Sequence, residues 1–317
     1  MKTKVFACLI ASAIIASTLM MSGCSSCSCN MTPSASPSSE SSLPSSSAPA
    51  IPREPDEGRN ADLSAREEQE ERSALAMSAD FLQIGALNNE TVKWGPGVQQ
   101  DEKGRSTACV GLQEKFGQYD VFFIAPEEEN RVTLSFDQGY ENGYTANILD
   151  TLKEKEVTAI FFLTGHYVRS QPELVSRMIE EGHILGNHSD SHKVYCRDLS
   201  IEESFEDARW MQDYLRDNFN YEMRLFRFPE GEFSEQSLAL MQQMGYKSLF
   251  WSFAHADWDV NNQPAYEDAV EKIMKFVHPG EIMLLHSVSS TNAHILPEII
   301  DKIRDKGFDV GPFEAAF

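Results

Sequence analysis

Asp137, His188, Arg227, Asp257 and His286 share a feature of position: each lies in, closes or closely follows a short apolar run, "RVTLSF", "HILGN", "MRLFRF", "LFWSFA" and "EIMLLH" in turn. Carboxylate, imidazole and guanidinium groups can move protons and hold charge near a reacting bond. A single aspartate or histidine behind a strand is more often a turn or capping residue. Five of complementary chemistry point to one site, provided the runs are strands whose carboxyl ends share a face. In "NHSDSH", His188 and His192 stand four apart, and a helical turn there would aim both imidazoles the same way for chelation of a divalent ion.

The pattern between these residues supplies such a face. From residue 131, short apolar runs alternate with helical periodicity: strand 131–136, helix 144–156, strand 157–163, helix 171–182 with Pro172 in its first turn, and a short strand 183–187. Ser200 followed by Glu203 forms a capping box that opens a long helix. Strands 223–228, 247–253 and 281–286 then alternate with helices after Ser234, over 265–277 and over 293–306. This rhythm predicts an α/β fold of parallel strands with right-handed helical crossovers, closed or nearly closed into a barrel. An open doubly wound sheet is the competing architecture.

The N-terminus carries an address. Residues 1–23 read as a secretory signal, with Lys2 and Lys4 ahead of an apolar stretch, and Ser22-Gly23-Cys24 resembles a bacterial lipobox that predicts a diacylglycerol on Cys24. The protein is expected outside the cytoplasm, as a membrane lipoprotein or in secreted form. Residues 24–75 are Ser/Pro-rich and then charged, too poor in apolar surface to fold, and read as a tether. Residues 76–128 and 129–317 are globular in composition, long enough for one large domain. The formal net charge of −22 argues against nucleic acid as a partner, since that binding rests on neutralising phosphates. A monomer is expected. Of six cysteines, Cys109 and Cys196 fall in the globular part and are expected as thiols, while "CSSCSC" lacks the histidines and paired spacing of a zinc site.

The ordered segments "SFDQG", "NHSDSH", "RFPEG", "ADW" and "LLH" resemble the five motifs of the polysaccharide deacetylases, the NodB-homology group or carbohydrate esterase family 4, from about residue 129 to the C-terminus. "GYENGYT", "FFLTGHYV", "WSFAHADWDVNNQ" and "HPGEIMLLHSVSSTNAH" resemble more closely the delta-lactam-biosynthetic de-N-acetylases, which act on the muramic acid of peptidoglycan. The resemblance implies a deformed (β/α) barrel and an amide hydrolase that removes the N-acetyl group of N-acetylmuramic acid, with delta-lactam closure and spore-cortex maturation to follow. Deacetylation of N-acetylglucosamine or another polysaccharide is one alternative, and a catalytically degenerate glycan-binding module is another. The resemblance further implies Asp137 as general base, Arg227 as the cation that orients it, His286 as the acid that protonates the leaving amine and Asp257 as the partner that keeps this imidazole protonated. His188 and His192 would hold a divalent metal, zinc before others, and Trp258 would wall the sugar groove. In this branch, segments like 76–128 pack against the barrel.

Two positions depart from the family pattern. Gln138 stands where most members have a second, metal-ligating aspartate; its amide oxygen can coordinate but brings no charge, so metal affinity is expected to fall by at least about the 10–100-fold associated with outer-shell changes. Glu230 replaces an aromatic or basic residue. Facing the groove it would repel the lactyl carboxylate of muramic acid; facing solvent, only its backbone N–H would matter, as an oxyanion donor. His166, His183 and His278 read as structural residues at turns, and Trp251, Phe161 and Phe162 as core. His255 and His294 lie close enough to the motifs to reach the groove.

Overall fold

The computed structural model describes residues 80–128 and 130–316, so the signal, Cys24 and the tether lie outside the described residues. Eleven strands occur there: β1 (Val92–Lys93), β2 (Val121–Phe122), β3 (Arg131–Gln138), β4 (Ile160–Leu163), β5 (Ile184–Asn187), β6 (Leu225–Phe226), β7 (Glu232–Phe233), β8 (Lys247–Leu249), β9 (Phe253–Ala254), β10 (Glu281–His286) and β11 (Asp309–Val310). β1 and β7 form a separate antiparallel pair. The others make one sheet in the order β2-β8-β6-β5-β4-β3-β10-β9, with β11 beside the start of β3, and every ladder in it is parallel. Helices Thr145–Glu154, Pro172–Glu180, Ile201–Phe219, Glu235–Gln243, Tyr266–Phe276 and Ser290–Asp305 alternate with the strands. Apart from Arg131, every residue of β3 and β4 is buried, as expected for parallel strands covered on both faces, by helices outside and by the barrel interior within.

The apolar run 247–253, read as one strand, is two. Phe250 N–H donates to Phe122 O, whereas Ser252 N–H donates to Ile282 O, so residues 250–252 leave one neighbour and join another. β8 lies next to last at one end of the ladder and β9 is last at the other. One continuous stretch of chain therefore joins both ends and curls the sheet into an irregular barrel. The parallel-barrel expectation holds over the open sheet.

Local signals set the helix starts. Ser200 and Glu203 make the reciprocal capping box, and Ser234 with Ser237 makes a second. The last helix begins at Ser290 rather than near 293, because Ser289 Oγ accepts from Asn292 N–H and caps it. The segment before β3 packs on the barrel: Trp94 lies edge-on to Phe250 with ring centres 6.5 Å apart, and its Nε1–H donates to Trp251 O at 3.1 Å.

Candidate active site

β3 and β10 are neighbours in register, with Asp137 opposite His286. That pairing alone brings two of the candidate residues to one edge. Arg227 follows β6, and its side chain, fully buried, reaches back across the barrel. Its Nη1 donates to Asp137 Oδ1 at 2.8 Å, Nη2 to Ser135 Oγ at 2.9 Å and to Phe250 O at 3.1 Å, and Nε to Leu249 O at 2.9 Å. The guanidinium also lies 4.1 Å from the centre of the Phe162 ring. A buried cation with its donors occupied in this way is held in one geometry. Burial works to raise the Asp137 pKa, but the charge of Arg227 above all, with that of His286 and the Arg227 hydrogen bond, outweighs it and holds the carboxyl below its ordinary value.

The second pair faces the first. Asp257 is fully buried, and its carboxylate grips His286 twice: the ring Nδ1–H donates to Oδ1 at 2.7 Å and the backbone N–H to Oδ2 at 2.8 Å. Because Nδ1 carries the proton shared with Asp257, Nε2 is the ring nitrogen left for the cavity. Burial works to lower the His286 pKa; the hydrogen bond and charge of Asp257, with Asp137 behind, more than offset it and raise the pKa above the ordinary value. The site thus sets a carboxylate poised to stay ionised beside an imidazole poised to stay protonated.

The histidine pair forms without the expected helical turn. Residues 188–192 are irregular, with Ser189 and His192 at φ of 68° and 54°, and this loop brings the two rings edge-to-face at 4.9 Å between centres. His188 Nδ1 donates to Arg227 O at 2.9 Å, and burial pulls the ring down to about 4, so it is neutral at pH 7 with its Nε2 lone pair free. A neutral imidazole locked by a carbonyl is the usual form of a metal-binding histidine, and these two nitrogen donors fit a divalent ion. The third expected ligand is a correction. Gln138 is fully buried and absent from the cavity wall; its Nε2 donates to Ser287 Oγ at 2.5 Å and its Oε1 has no hydrogen-bond partner. Successive residues of a strand point to opposite faces, so Asp137 and Gln138 cannot both face the cavity while β3 stays regular. Among the described residues, no group of three or more His, Cys, Asp or Glu is arranged to hold a metal.

Asp137, His188, His192, Glu230, Trp258 and His286 all line one cavity of about 620 Å³. Trp258 is 58% exposed at its mouth, its ring edge-on to His286 at 6.2 Å. Glu230 stands on the rim in a left-handed backbone, φ 58°, with its carboxylate 3.7 Å from Arg197 Nη1. That guanidinium also meets Glu232 at 3.1 Å and Asp198 at 2.9 Å, so its single charge is shared among three carboxylates. Trp251, expected as pure core, forms part of the wall as well, and Tyr140, which the sequence did not single out, lines the cavity at 45% exposure. His255 reaches the cavity; His294 does not, and instead stacks on Tyr266 with ring centres 4.0 Å apart in a groove between the last two long helices. His183 and His278 are buried against backbone groups, Phe161 and Phe162 are fully buried, and Cys109 and Cys196 are free thiols. His166 lies on the short helix Gly165–Ser170 rather than at a turn.

The comparisons with known proteins match this arrangement. A family model described as "Polysaccharide deacetylase" matches residues 125–249. The peptidoglycan-N-acetylmuramic acid deacetylase PdaA of Bacillus subtilis is 38% identical over 247 residues, which span 74% of this chain and 89% of that protein. The chain belongs to the polysaccharide deacetylase family. The solved structure of the same Bacillus subtilis protein, a family 4 carbohydrate esterase, superposes with a TM-score of 0.66 at 35% identity, covering 71% of this deacetylase and 96% of that chain. A family 4 carbohydrate esterase from Bacillus anthracis gives a TM-score of 0.59 at 36% identity, covering 71% and 95%. The curled parallel barrel of this deacetylase is therefore that of its family, and the chain is a hydrolase of that group.

Proposed function

We propose that this deacetylase removes the N-acetyl group of N-acetylmuramic acid in peptidoglycan. The observation that carries the reading is the facing of two oppositely poised pairs, Asp137 with Arg227 and His286 with Asp257, across one cavity. The 38% identity to a protein named for that reaction supports the choice of sugar. Asp137, with Oδ1 held by Arg227, would take a proton from the attacking water at Oδ2. His286 would deliver a proton from Nε2 to the amine as the amide bond breaks. Each of these roles is worth roughly 10²–10⁴-fold in rate. His188 and His192 would hold a divalent ion, zinc before others, which when bound polarises the acetyl carbonyl. Trp258 would wall the sugar. The freed amine would sit near the lactyl carboxyl of the same residue, so delta-lactam closure is the expected fate of the product. The lipidation of Cys24, the place outside the cytoplasm and the monomeric state belong to the same reading.

A second reading is favoured by Glu230. Its carboxylate on the rim opposes the negative lactyl group of muramic acid, and N-acetylglucosamine carries no such group. Mass spectrometry of muropeptides after incubation decides between the sugars: loss of one acetyl group on muramic acid supports the first, loss on glucosamine supports the second. Unchanged muropeptides would point to a glycan-binding module.

A further inference from the structure

Asp257 has two imidazoles within reach. His286 holds it directly, while His255 Nε2 lies 3.8 Å from Oδ2. Asn292, on the helix Ser290–Asp305 and only 2% exposed, stands between them. Its Nδ2 donates to Asp257 Oδ2 at 2.5 Å and to His286 O at 3.2 Å, and its Oδ1 meets His255 Nε2 at 3.1 Å. The orientation of this amide follows from its surroundings. Two oxygens on one side require the NH₂ there, so Oδ1 faces His255 and His255 must carry its proton on Nε2. Ser289 Oγ accepts from Asn292 N–H at 3.0 Å and also bonds Gln263 Oε1, while Gln263 Nε2 donates to Asp257 O at 2.8 Å. The amide is thus fixed from the helix side and from the Asp257 loop.

We infer that Asn292 is a positioning residue that reserves Asp257 for His286, by donating to the second carboxylate oxygen and accepting the hydrogen bond of the His255 Nε2–H. Without it, His255 Nε2–H would turn to Oδ2 and one carboxylate would serve two imidazoles. The negative charge that keeps His286 protonated would then be divided. The other charged groups that bear on this pair are Asp137 and Arg227 on the cavity side and Lys272 near His255, and all three stay in place in the variants below.

The test reads the titration of the His286 ring by NMR in the whole protein, without substrate, so it stands apart from the identity of the sugar; only its catalytic consequence rests on the acid role proposed for His286. In Asn292→Ala the midpoint should fall by roughly 0.5–1 on the pH scale, a fraction of the 1–3 that a neighbouring opposite charge contributes. The alkaline limb of kcat/KM should fall with it. Adding His255→Gln to Asn292→Ala should move the midpoint back toward wild type, whereas His255→Gln alone, with Asn292 in place, should leave it unmoved. A wild-type midpoint in Asn292→Ala, or no recovery in the double variant, overturns the inference. Should Asn292→Ala not fold, His255→Gln alone still decides: a shifted His286 midpoint there would mean that His255 already shares Asp257.

Discussion

β10 carries an ionisable residue at each end, half-buried at one and fully buried at the other, and the two ends contrast. At its carboxyl end His286 faces the cavity with Asp257 behind it and Asp137 opposite, and it is held toward its charged form. At its amino end Glu281 is fully buried; Oε2 accepts one backbone N–H, from His278 at 3.2 Å, and Oε1 has no hydrogen-bond partner. Burial pushes Glu281 up to about 8, so it is mostly protonated at pH 7, and burial pulls its neighbour His278 down to about 4. The same low-dielectric interior removes charge at one end and tolerates it at the other. The difference is partnership: the cavity end supplies an opposite charge and several donors for every buried ion, and the other end does not. At the two ends of β10, burial thus neutralises the group that lacks a partner and leaves charged the group that has one.

Several substitutions probe that contrast. Arg227→Met leaves Asp137 buried without its cation and should destabilise the fold by about 3–5 kcal/mol in urea unfolding; an unchanged midpoint would show that the pair is not buried as described. Asp257→Asn removes the charge that holds the proton on His286 and leaves the burial that opposes it. The His286 pKa should drop, so the alkaline limb of kcat/KM should move to lower pH, with a loss of roughly 10²-fold or more at pH 8. At the other end of β10, Glu281→Gln should leave kcat/KM unchanged and stabilise the protein increasingly as pH rises. Between the ordinary carboxylate value and about 8 the folded state binds a proton that the unfolded state has lost, so native stability falls as pH rises through that window, with a slope of roughly 1.4 kcal/mol for each step of one in pH. Thermal unfolding at pH 5 and pH 8 measures it: equal gains at both pH values would contradict a neutral buried Glu281. The smallest effect is expected at the rim, where Trp258→Ala should raise KM severalfold with little change in kcat, as loss of an apolar contact of about 1 kcal/mol does.

Much of this was legible in the sequence for a physical reason. Parallel strands covered on both faces are continuous apolar runs, so their ends, and the polar residues placed there, stand out: Asp137, Arg227, Asp257 and His286 are brought together as expected. What failed was what local pattern cannot encode. Gln138 adjoins Asp137 in sequence, yet strand alternation turns it away from the cavity. The apolar run around Trp251 gives no hint that the backbone changes partners within it. Asn292 looks like an ordinary residue in the first turn of a capped helix, and only the tertiary placement of that turn beside the Asp257 loop puts its amide against the carboxylate. The spacing of the histidine pair suggests a helical turn, and a loop with Ser189 and His192 in left-handed backbone brings the rings together instead.

The central claim is that Asp137, ionised beside Arg227, is the base for deacetylation. Acetate release from purified peptidoglycan by wild type and by Asp137→Asn, compared at equal concentration after far-UV spectra establish the same fold, tests it most directly. Release should fall by roughly 10²–10⁴-fold in the variant. Acetate release at the wild-type rate would contradict the account.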